Sequence, residues 1–423
     1  MLVRKLSALL VLMVLCVNSS PVRAYSVLTH EQIVDLAWED HIQPLLLKRY
    51  PQSTPQDLRR AHAFAYGGSL VQDMGYYPFG NKFFSDLVHY VRTGDFVEAL
   101  LRDSSDVNEY AFALGALAHY SSDNVGHPVI NQVTAIEFPK LRAKFGHEVT
   151  YADDHKAHIR TEFGFDMVQV AKNRYTSDRY HDFIGFEIAQ PLLDRAFQET
   201  YGLPLKEVLG DEDLAIGSFR RAVSKFIPAM TRVALLNKRA DWVPESKTSS
   251  RQKFLYHISR SNYEKEWGKG YRRPGIGSRI LAFFLRHIPK VGPATALDFK
   301  VPSQRSEDMY IKSVDETIDN YNGLLRELAH NDLKLQQKDC DTGRPTAPGE
   351  YPLTDSTYAK LLDELGKDEF KQVTPELRDN ILAFYANAAQ TKMRQEKSWK
   401  RAEADLDRLK AWSLLPTSPP GTE

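Results

Sequence analysis

The sequence has very few cysteines and no long hydrophobic run, and each absence excludes a class of structure. Two of its 423 residues are cysteines, Cys16 and Cys340. Cys16 lies in an N-terminal segment that we expect to be removed, so Cys340 has no partner for an intramolecular disulfide. After that segment, no stretch approaches the roughly 20 apolar residues of a transmembrane helix. The mature chain must therefore be stabilised chiefly by packing.

The sequence also lacks net charge, since 55 Lys and Arg residues balance 55 Asp and Glu residues. Loss of Arg4, Lys5 and Arg23 with the N-terminal segment leaves 52 basic against 55 acidic residues. A nearly neutral protein has no global attraction for polyanions, which makes nucleic acid a less favoured partner.

The first 24 residues have the pattern of a secretory signal peptide. A short apolar run from Leu6 to Val17 follows two basic residues and precedes Val22-Arg23-Ala24. We therefore predict cleavage after Ala24 and an exported protein, periplasmic or secreted. An alternative is a lipoprotein anchored at Cys16, but Leu15 is bulkier than such cleavage sites usually tolerate.

Apolar residues recur at helical spacing through most of the chain, and alternating runs typical of strands are scarce, so we predict an all-α protein. Thr29-His-Glu-Gln32 resembles a capping box at the start of one helix, and Asp106 can cap another. The same spacing predicts helices around residues 155–175, 183–200, 213–238, 307–335, 356–366 and 375–412.

Breaks rich in Pro, Ser and Thr suggest how the chain is divided. The break from Pro244 to Gln252 is a plausible domain boundary. After the signal peptide (1–24), we predict a first helical domain over 25–245, a helical C-terminal region of unknown role over 253–415, and a tail over 416–423.

Histidines are concentrated in the first part of the chain, between His30 and His158. In "HYSSDNVGH", His119, Asp123 and His127 are four residues apart, and at about 100° per residue they drift by only about 80° around a helix. Imidazole and carboxylate ligands together suit zinc, and one carboxylate can bridge two ions.

Other residues could complete such a site. His158 and Glu162 in "HIRTE" form a second pair at helical spacing, and two such pairs on neighbouring helices could close a site between them. Asp73 follows a glycine-containing segment, and His89 lies in "FSDLVHY". Taken alone, Asp73 could cap a turn and His89 could be a core residue. Cleavage after Ala24 would free the amino group of Tyr25, which could chelate a metal.

Taken in order, these stretches resemble the zinc-dependent phospholipase C family. They are "YSVLTH" at the mature N-terminus, an Asp in a Gly-containing segment, "SDxxHY", "LGxxxHYxxD" followed by a His, and "HxxxE". Relatives of that family include the N-terminal domain of phosphatidylinositol-glycan-specific phospholipase D and the zinc-dependent single-strand nucleases. The resemblance covers roughly residues 25 to 190.

The resemblance implies an α-helical bundle that holds a cluster of three zinc ions. By motif, the ligands would be Asp73, His89, His119 and Asp123 for one ion, His127, His158 and Glu162 for a second, and Tyr25, His30 and Asp123 for the third. Asp123 would bridge two ions, and Asp73 is also a candidate general base. The ions would bind the substrate phosphate and lower the pKa of a water that attacks phosphorus. We therefore expect phospholipase C-type hydrolysis of a phospholipid.

Several positions depart from the family pattern. The chain has Tyr25-Ser26 where the bacterial phospholipases and the nucleases usually begin with Trp-Gly. The interval from Asp123 to His127 is shorter than in these enzymes and is similar to the glycan-anchor phospholipase D branch. Glu162 favours lipid, because the nucleases more often have Asp there. His155, one turn before His158, is a rival ligand.

Two alternative functions use the same residues: a zinc-dependent single-strand nuclease, or a non-catalytic zinc-binding structural protein. Peripheral membrane contact is a separate hypothesis for residues 268–292, which join basic side chains to the apolar run from Ile280 to Leu285. A buried helix that ends at Pro289 is the other interpretation of that segment. The substrate headgroup and the oligomeric state stay open.

Overall fold

A computed structural model describes residues 27–171, 185–227, 299–387 and 397–412 of the chain. Throughout these residues the secondary structure is helical, and the only β-type pairing among them is an isolated bridge between Lys338 and Pro345. The predicted all-α class is confirmed.

Residues 27–171 and 185–227, as the structure describes them, form eleven α-helices together with two π-helical turns and one 3₁₀ turn. They are α1 (Val27–Ala37), α2 (Gln43–Arg49), α3 (Pro55–Val71), α4 (Lys82–Tyr90), α5 (Thr93–Asp103), α6 (Val107–Glu137), α7 (Pro139–Phe145), α8 (His155–Ala171), α9 (Gln190–Tyr201), α10 (Leu205–Leu209) and α11 (Glu212–Arg221). The described C-terminal helices are α12 (Gln304–Ala329), α13 (Pro352–Lys367), α14 (Pro375–Asn387) and α15 (Lys397–Ala411).

One of the two predicted helix caps is present and the other is wrong. The side chain of Asp106 accepts hydrogen bonds from two backbone amides of the first turn of α6, as expected of an N-cap. Thr29, in contrast, already lies inside α1. Its hydroxyl instead donates to the buried carboxylate of Asp166 of α8 at 2.9 Å, a charge-assisted hydrogen bond.

The long helix α6 is the centre of the fold, and α3 crosses it at very short range. A Cβ on Gly68 would lie 1.9 Å from the carbonyl oxygen of Phe112, and one on Gly115 would lie 2.0 Å from that of Ala65. Only glycine permits so close an approach of two helix backbones. The crossing brings the backbone of α3 next to the side chains of the middle of α6.

The C-terminal helices share a hydrophobic core with the first part of the chain. Tyr310 and Tyr321 of α12 belong to the same buried cluster as Phe112 and Leu117 of α6. The Tyr321 hydroxyl donates to the carbonyl oxygen of Leu114 at 2.8 Å. The predicted boundary near residue 250 lies outside the described residues, and the division into domains stays a prediction.

Two predicted membrane-related segments also lie outside the described residues: the signal peptide (1–24) and the basic, apolar segment 268–292. Among the helices that the structure does describe, none is both long and apolar enough to cross a bilayer.

Candidate metal centre

Four helices and one turn bring eight of the predicted ligands together in the interior. His30 comes from α1, Asp73 from the turn after α3, His89 from α4, the triplet His119, Asp123 and His127 from α6, and His158 and Glu162 from α8. All eight side chains are buried. Tyr25, the ninth, lies outside the described residues.

Asp123 lies at the centre of this cluster, and its two carboxylate oxygens face different neighbours. Oδ2 lies 3.0 Å from Nε2 of His119 and 3.4 Å from Nε2 of His89. Oδ1 lies 3.5 Å from Nε2 of His30 and 3.7 Å from Nε2 of His127. A carboxylate with one oxygen toward each side has the arrangement expected of a bridging ligand.

The side chains fall into three groups that could each hold a metal ion: His30, His119 and Asp123; Asp73, His89 and His119; and His127, His158 and Glu162. Ligand atoms within each group lie within 4.8 Å of one another. The third group is the set predicted for the second zinc. The first two groups share His119. Asp123 of the first group also lies next to His89 of the second, with 3.4 Å between Oδ2 and Nε2.

Backbone carbonyl groups orient two of the rings. Nδ1 of His89 donates to the carbonyl oxygen of Ser85 at 2.7 Å, one turn earlier in α4. Nδ1 of His119 donates to the carbonyl oxygen of Ser69 at 2.9 Å, a contact that the close crossing of α3 and α6 permits. A neutral ring held in this way turns the lone pair of Nε2 toward the cluster, which is the orientation of a metal ligand.

The donor set fits zinc in spacing and in chemistry. Two ligands of a tetrahedral zinc with bonds of about 2.0–2.1 Å lie roughly 3.3 Å apart. The Nε2 atom of His89 lies 3.5 Å from Oδ1 of Asp73, and that of His127 lies 3.6 Å from Oε1 of Glu162. Both oxygens of Asp123 and Oδ1 of Asp73 are buried without a hydrogen bond. Buried carboxylate oxygens in that state need a cation or a proton to compensate their charge.

The pKa values show how strongly these groups depend on one another. Burial lowers the pKa of a histidine, but the combined charges and hydrogen bonds of Asp123 and the neighbouring carboxylates outweigh it and raise the pKa of His119 to about 9 and that of His127 to about 10. Burial raises the pKa of Asp123, yet these two histidines hold it well below its usual value. At Asp73 and Glu162 burial dominates and raises the pKa. Protons therefore occupy ligand atoms in the metal-free protein.

The two rival histidines of α8 are placed differently. His158 is fully buried, and its Nε2 lies 2.8 Å from Oε1 of Glu162. His155 is exposed and is near the ring of Tyr151, with 6.0 Å between ring centroids. This placement favours His158 as the ligand.

Two carboxylates near the cluster were not predicted from the sequence. Oδ1 of Asp341, in the segment between α12 and α13, lies 3.4 Å from Nδ1 of His127. Asp166 of α8 accepts hydrogen bonds from the amide of Leu28 and the hydroxyl of Thr29, and so anchors the start of the described chain. Their distance along the sequence from the residues that they contact explains why no motif indicated them.

Tyr77 is also buried, and its hydroxyl has no hydrogen bond. Its pKa is raised by burial and by the negative charges of Asp73, Glu31 and Asp166. The hydroxyl therefore stays protonated and can donate a hydrogen bond near these carboxylates.

Residues 29–210 match the model of the zinc-dependent phospholipase C family. The match confirms the resemblance, and all eight described ligands lie within it. No curated protein and no solved structure matches the chain. Asp341 lies outside the matched segment.

Proposed function

Because residues 29–210 match the zinc-dependent phospholipase C family, we propose that the chain is an exported phosphodiesterase that hydrolyses a phospholipid. The observation that carries the proposal is the convergence of eight buried ligand residues, from positions 30 to 162, into three groups that could hold metal ions. A structural zinc site normally closes around one ion with four ligands, whereas adjoining groups of ligands, here with Asp123 within 3.7 Å of histidines from all three, are more typical of catalytic clusters.

The proposed role of each residue follows from its position. Asp123 joins the groups, His89 and His119 are oriented by backbone carbonyl groups, and His158 and Glu162 bind as a pair from α8. Zinc bound here would act as a Lewis acid toward a phosphoryl oxygen and lower the pKa of a bound water. Asp73 is the candidate base for the proton of that water. Its contact with His89 makes it equally a ligand.

The chain's near neutrality supports lipid rather than nucleic acid as the substrate, since nuclease grooves depend on basic residues to bind phosphates. Glu162 and the short interval from Asp123 to His127 favour the same choice. Export after cleavage at Ala24, to the periplasm or the outside of the cell, belongs to the proposal. So does peripheral membrane contact through residues 268–292.

The test is an assay of the processed protein, beginning at Tyr25 and loaded with zinc, on phosphatidylcholine, phosphatidylinositol and single-stranded DNA. We expect release of a phosphorylated headgroup from lipid and no cleavage of DNA. The Asp123→Asn variant is the inactive control, and His155→Gln is the matched active one. Cleavage of DNA alone would establish the nuclease. Full zinc content with no activity on any of the three would support a non-catalytic zinc protein.

A further inference from the structure

A carboxylate from the C-terminal region reaches the metal centre. Asp341 is fully buried, and its Oδ1 lies 3.4 Å from Nδ1 of His127. On the other side of that ring, Nε2 lies 3.6 Å from Glu162 and 3.7 Å from Asp123. The ring of His127 therefore lies between the predicted ligands and a carboxylate that belongs to none of the three groups.

Metal-binding histidines almost always donate their other ring N–H to a carboxylate, a backbone carbonyl or a water. His89 and His119 use the carbonyl groups of Ser85 and Ser69. For His127, the carboxylate oxygen Oδ1 of Asp341 faces Nδ1 at 3.4 Å, and a small rotation of either side chain would complete the hydrogen bond. An anionic acceptor makes the ring a stronger ligand than a neutral one does.

Two tyrosines hold the carboxylate of Asp341 in place. The hydroxyls of Tyr90 and Tyr351 donate to Oδ2 at 2.8 and 2.5 Å. The other oxygen, Oδ1, faces His127. Asn131 of α6 donates to the backbone oxygen of Asp341 at 2.8 Å, which attaches the residue to the same helix that carries His127.

The surrounding segment is fitted closely to the ligand-bearing helices. The amide of Cys340 donates to the carbonyl oxygen of His89 at 3.1 Å. Gly343 has a φ of +68°, and a Cβ there would lie 2.3 Å from the carbonyl oxygen of Asn124 in α6. Any other residue would push the segment away from α6, so both the backbone conformation and the space require glycine.

We propose that Asp341 is a positioning residue of the metal centre, which accepts a hydrogen bond from Nδ1 of His127 and so orients Nε2 toward the ion shared with His158 and Glu162. The C-terminal region then completes the centre rather than forming an independent unit. This inference rests on the proposed metal centre, but not on the identity of the substrate.

The test is the zinc affinity of the full mature chain with the Asp341→Asn substitution, measured by competition with a chelator. The two tyrosine hydroxyls need an acceptor, so the amide oxygen of the variant would turn to them. Its NH₂ would then face the Nδ1–H of His127, donor against donor. We expect one of the three ions to bind about 10–100-fold more weakly, the usual effect of losing such a partner. Unchanged affinity for all ions would overturn the proposal.

Two further comparisons separate positioning from loss of structure. Asp405→Asn removes another buried carboxylate of the C-terminal region, one that is bonded to Arg408 at 2.8 Å. We expect lower stability there with unchanged zinc affinity, and an equal loss of zinc would overturn the proposal. Should Asp341→Asn fail to fold, Tyr351→Phe keeps the carboxylate but removes one of its anchors. Several-fold weaker zinc binding is expected, and wild-type affinity would again overturn the proposal.

Assays of zinc binding and of hydrolysis distinguish failure of the Asp341 proposal from failure of the proposed function. An inactive wild-type protein whose Asp341→Asn variant loses one ion would refute the proposed substrate and leave the role of Asp341 intact. An active protein whose Asp341→Asn variant keeps every ion would refute the role of Asp341 and leave the proposed substrate intact.

Discussion

Replacement of Asp123 by Asn is the most informative single change, because its carboxylate contacts four imidazoles. Its oxygens lie 3.0–3.7 Å from the Nε2 atoms of His30, His89, His119 and His127. An amide keeps the volume but removes the charge and one of the two acceptor atoms. Since the bridging role needs both oxygens, we expect the variant to lose at least one zinc ion and nearly all activity.

The cost to the metal-free protein can also be worked out. Removal of one partner of a buried ion pair typically destabilises a protein by about 3–5 kcal/mol. Burial lowers the pKa of both histidines, yet the charge of Asp123, with smaller contributions from other carboxylates, raises it to about 9 for His119 and about 10 for His127, above the unperturbed value near 6.5. A histidine whose pKa is higher in the folded than in the unfolded state stabilises the fold fully at pH values below its unfolded-state pKa. That stabilisation is lost as the pH rises through the folded-state pKa. The difference between wild type and variant should therefore shrink between about pH 7 and pH 10.

The assay pairs zinc content by elemental analysis with chemical unfolding of the metal-free proteins at pH 6.5 and pH 10. His155→Gln is the control, since that histidine is exposed and we expect neither zinc loss nor destabilisation. The reasoning is refuted if Asp123→Asn keeps three ions, or if its destabilisation is the same at both pH values.

Three further predictions concern the same centre. Zinc binding at pH 7 should release at least two protons, because His119 and His127 carry protons in the metal-free protein; calorimetry in buffers of different ionisation enthalpy counts them, and no release would contradict the pKa assignments. Tyr77→Phe should leave stability unchanged or raise it by up to about 1 kcal/mol, because it removes a buried hydroxyl without a hydrogen bond. If that hydroxyl binds substrate, KM should rise several-fold with zinc content unchanged, and an unaltered KM would exclude the role. A protein with one additional residue before Tyr25 should lack one zinc by elemental analysis, whereas full occupancy would exclude the terminal amino group as a ligand.

Local patterns in the sequence were sufficient to predict the all-α class, the central helix α6 and the ligand types. The all-α class followed from helical spacing, and Asp106 was recognised as a cap because its partners are its own neighbours in the chain. The spacing of His119, Asp123 and His127 predicted one face of α6, and the structure turns all three side chains into the interior. Helix geometry is local, so four-residue intervals translate directly into a shared face.

Choices between neighbouring residues needed the packing of whole helices. His155 and His158 are three residues apart on α8, and the sequence could not separate them; the orientation of α8 against α6 buries one and exposes the other. The capping role expected of Thr29 was wrong for a similar reason. Its hydroxyl contacts Asp166, 137 residues away in the chain.

By itself, the sequence determined the helical class, the residue types that can bind zinc, and the order in which these residues occur. Only the tertiary structure decided that Asp123 lies between four imidazoles and that Asp341 faces His127. The first arrangement depends on the contact of α3 and α6 at Gly68 and Gly115, and the second on a segment more than 200 residues further along the chain. Such contacts depend on the complementary surfaces of elements that are far apart in the chain, and the spacing of neighbouring residues does not predict them.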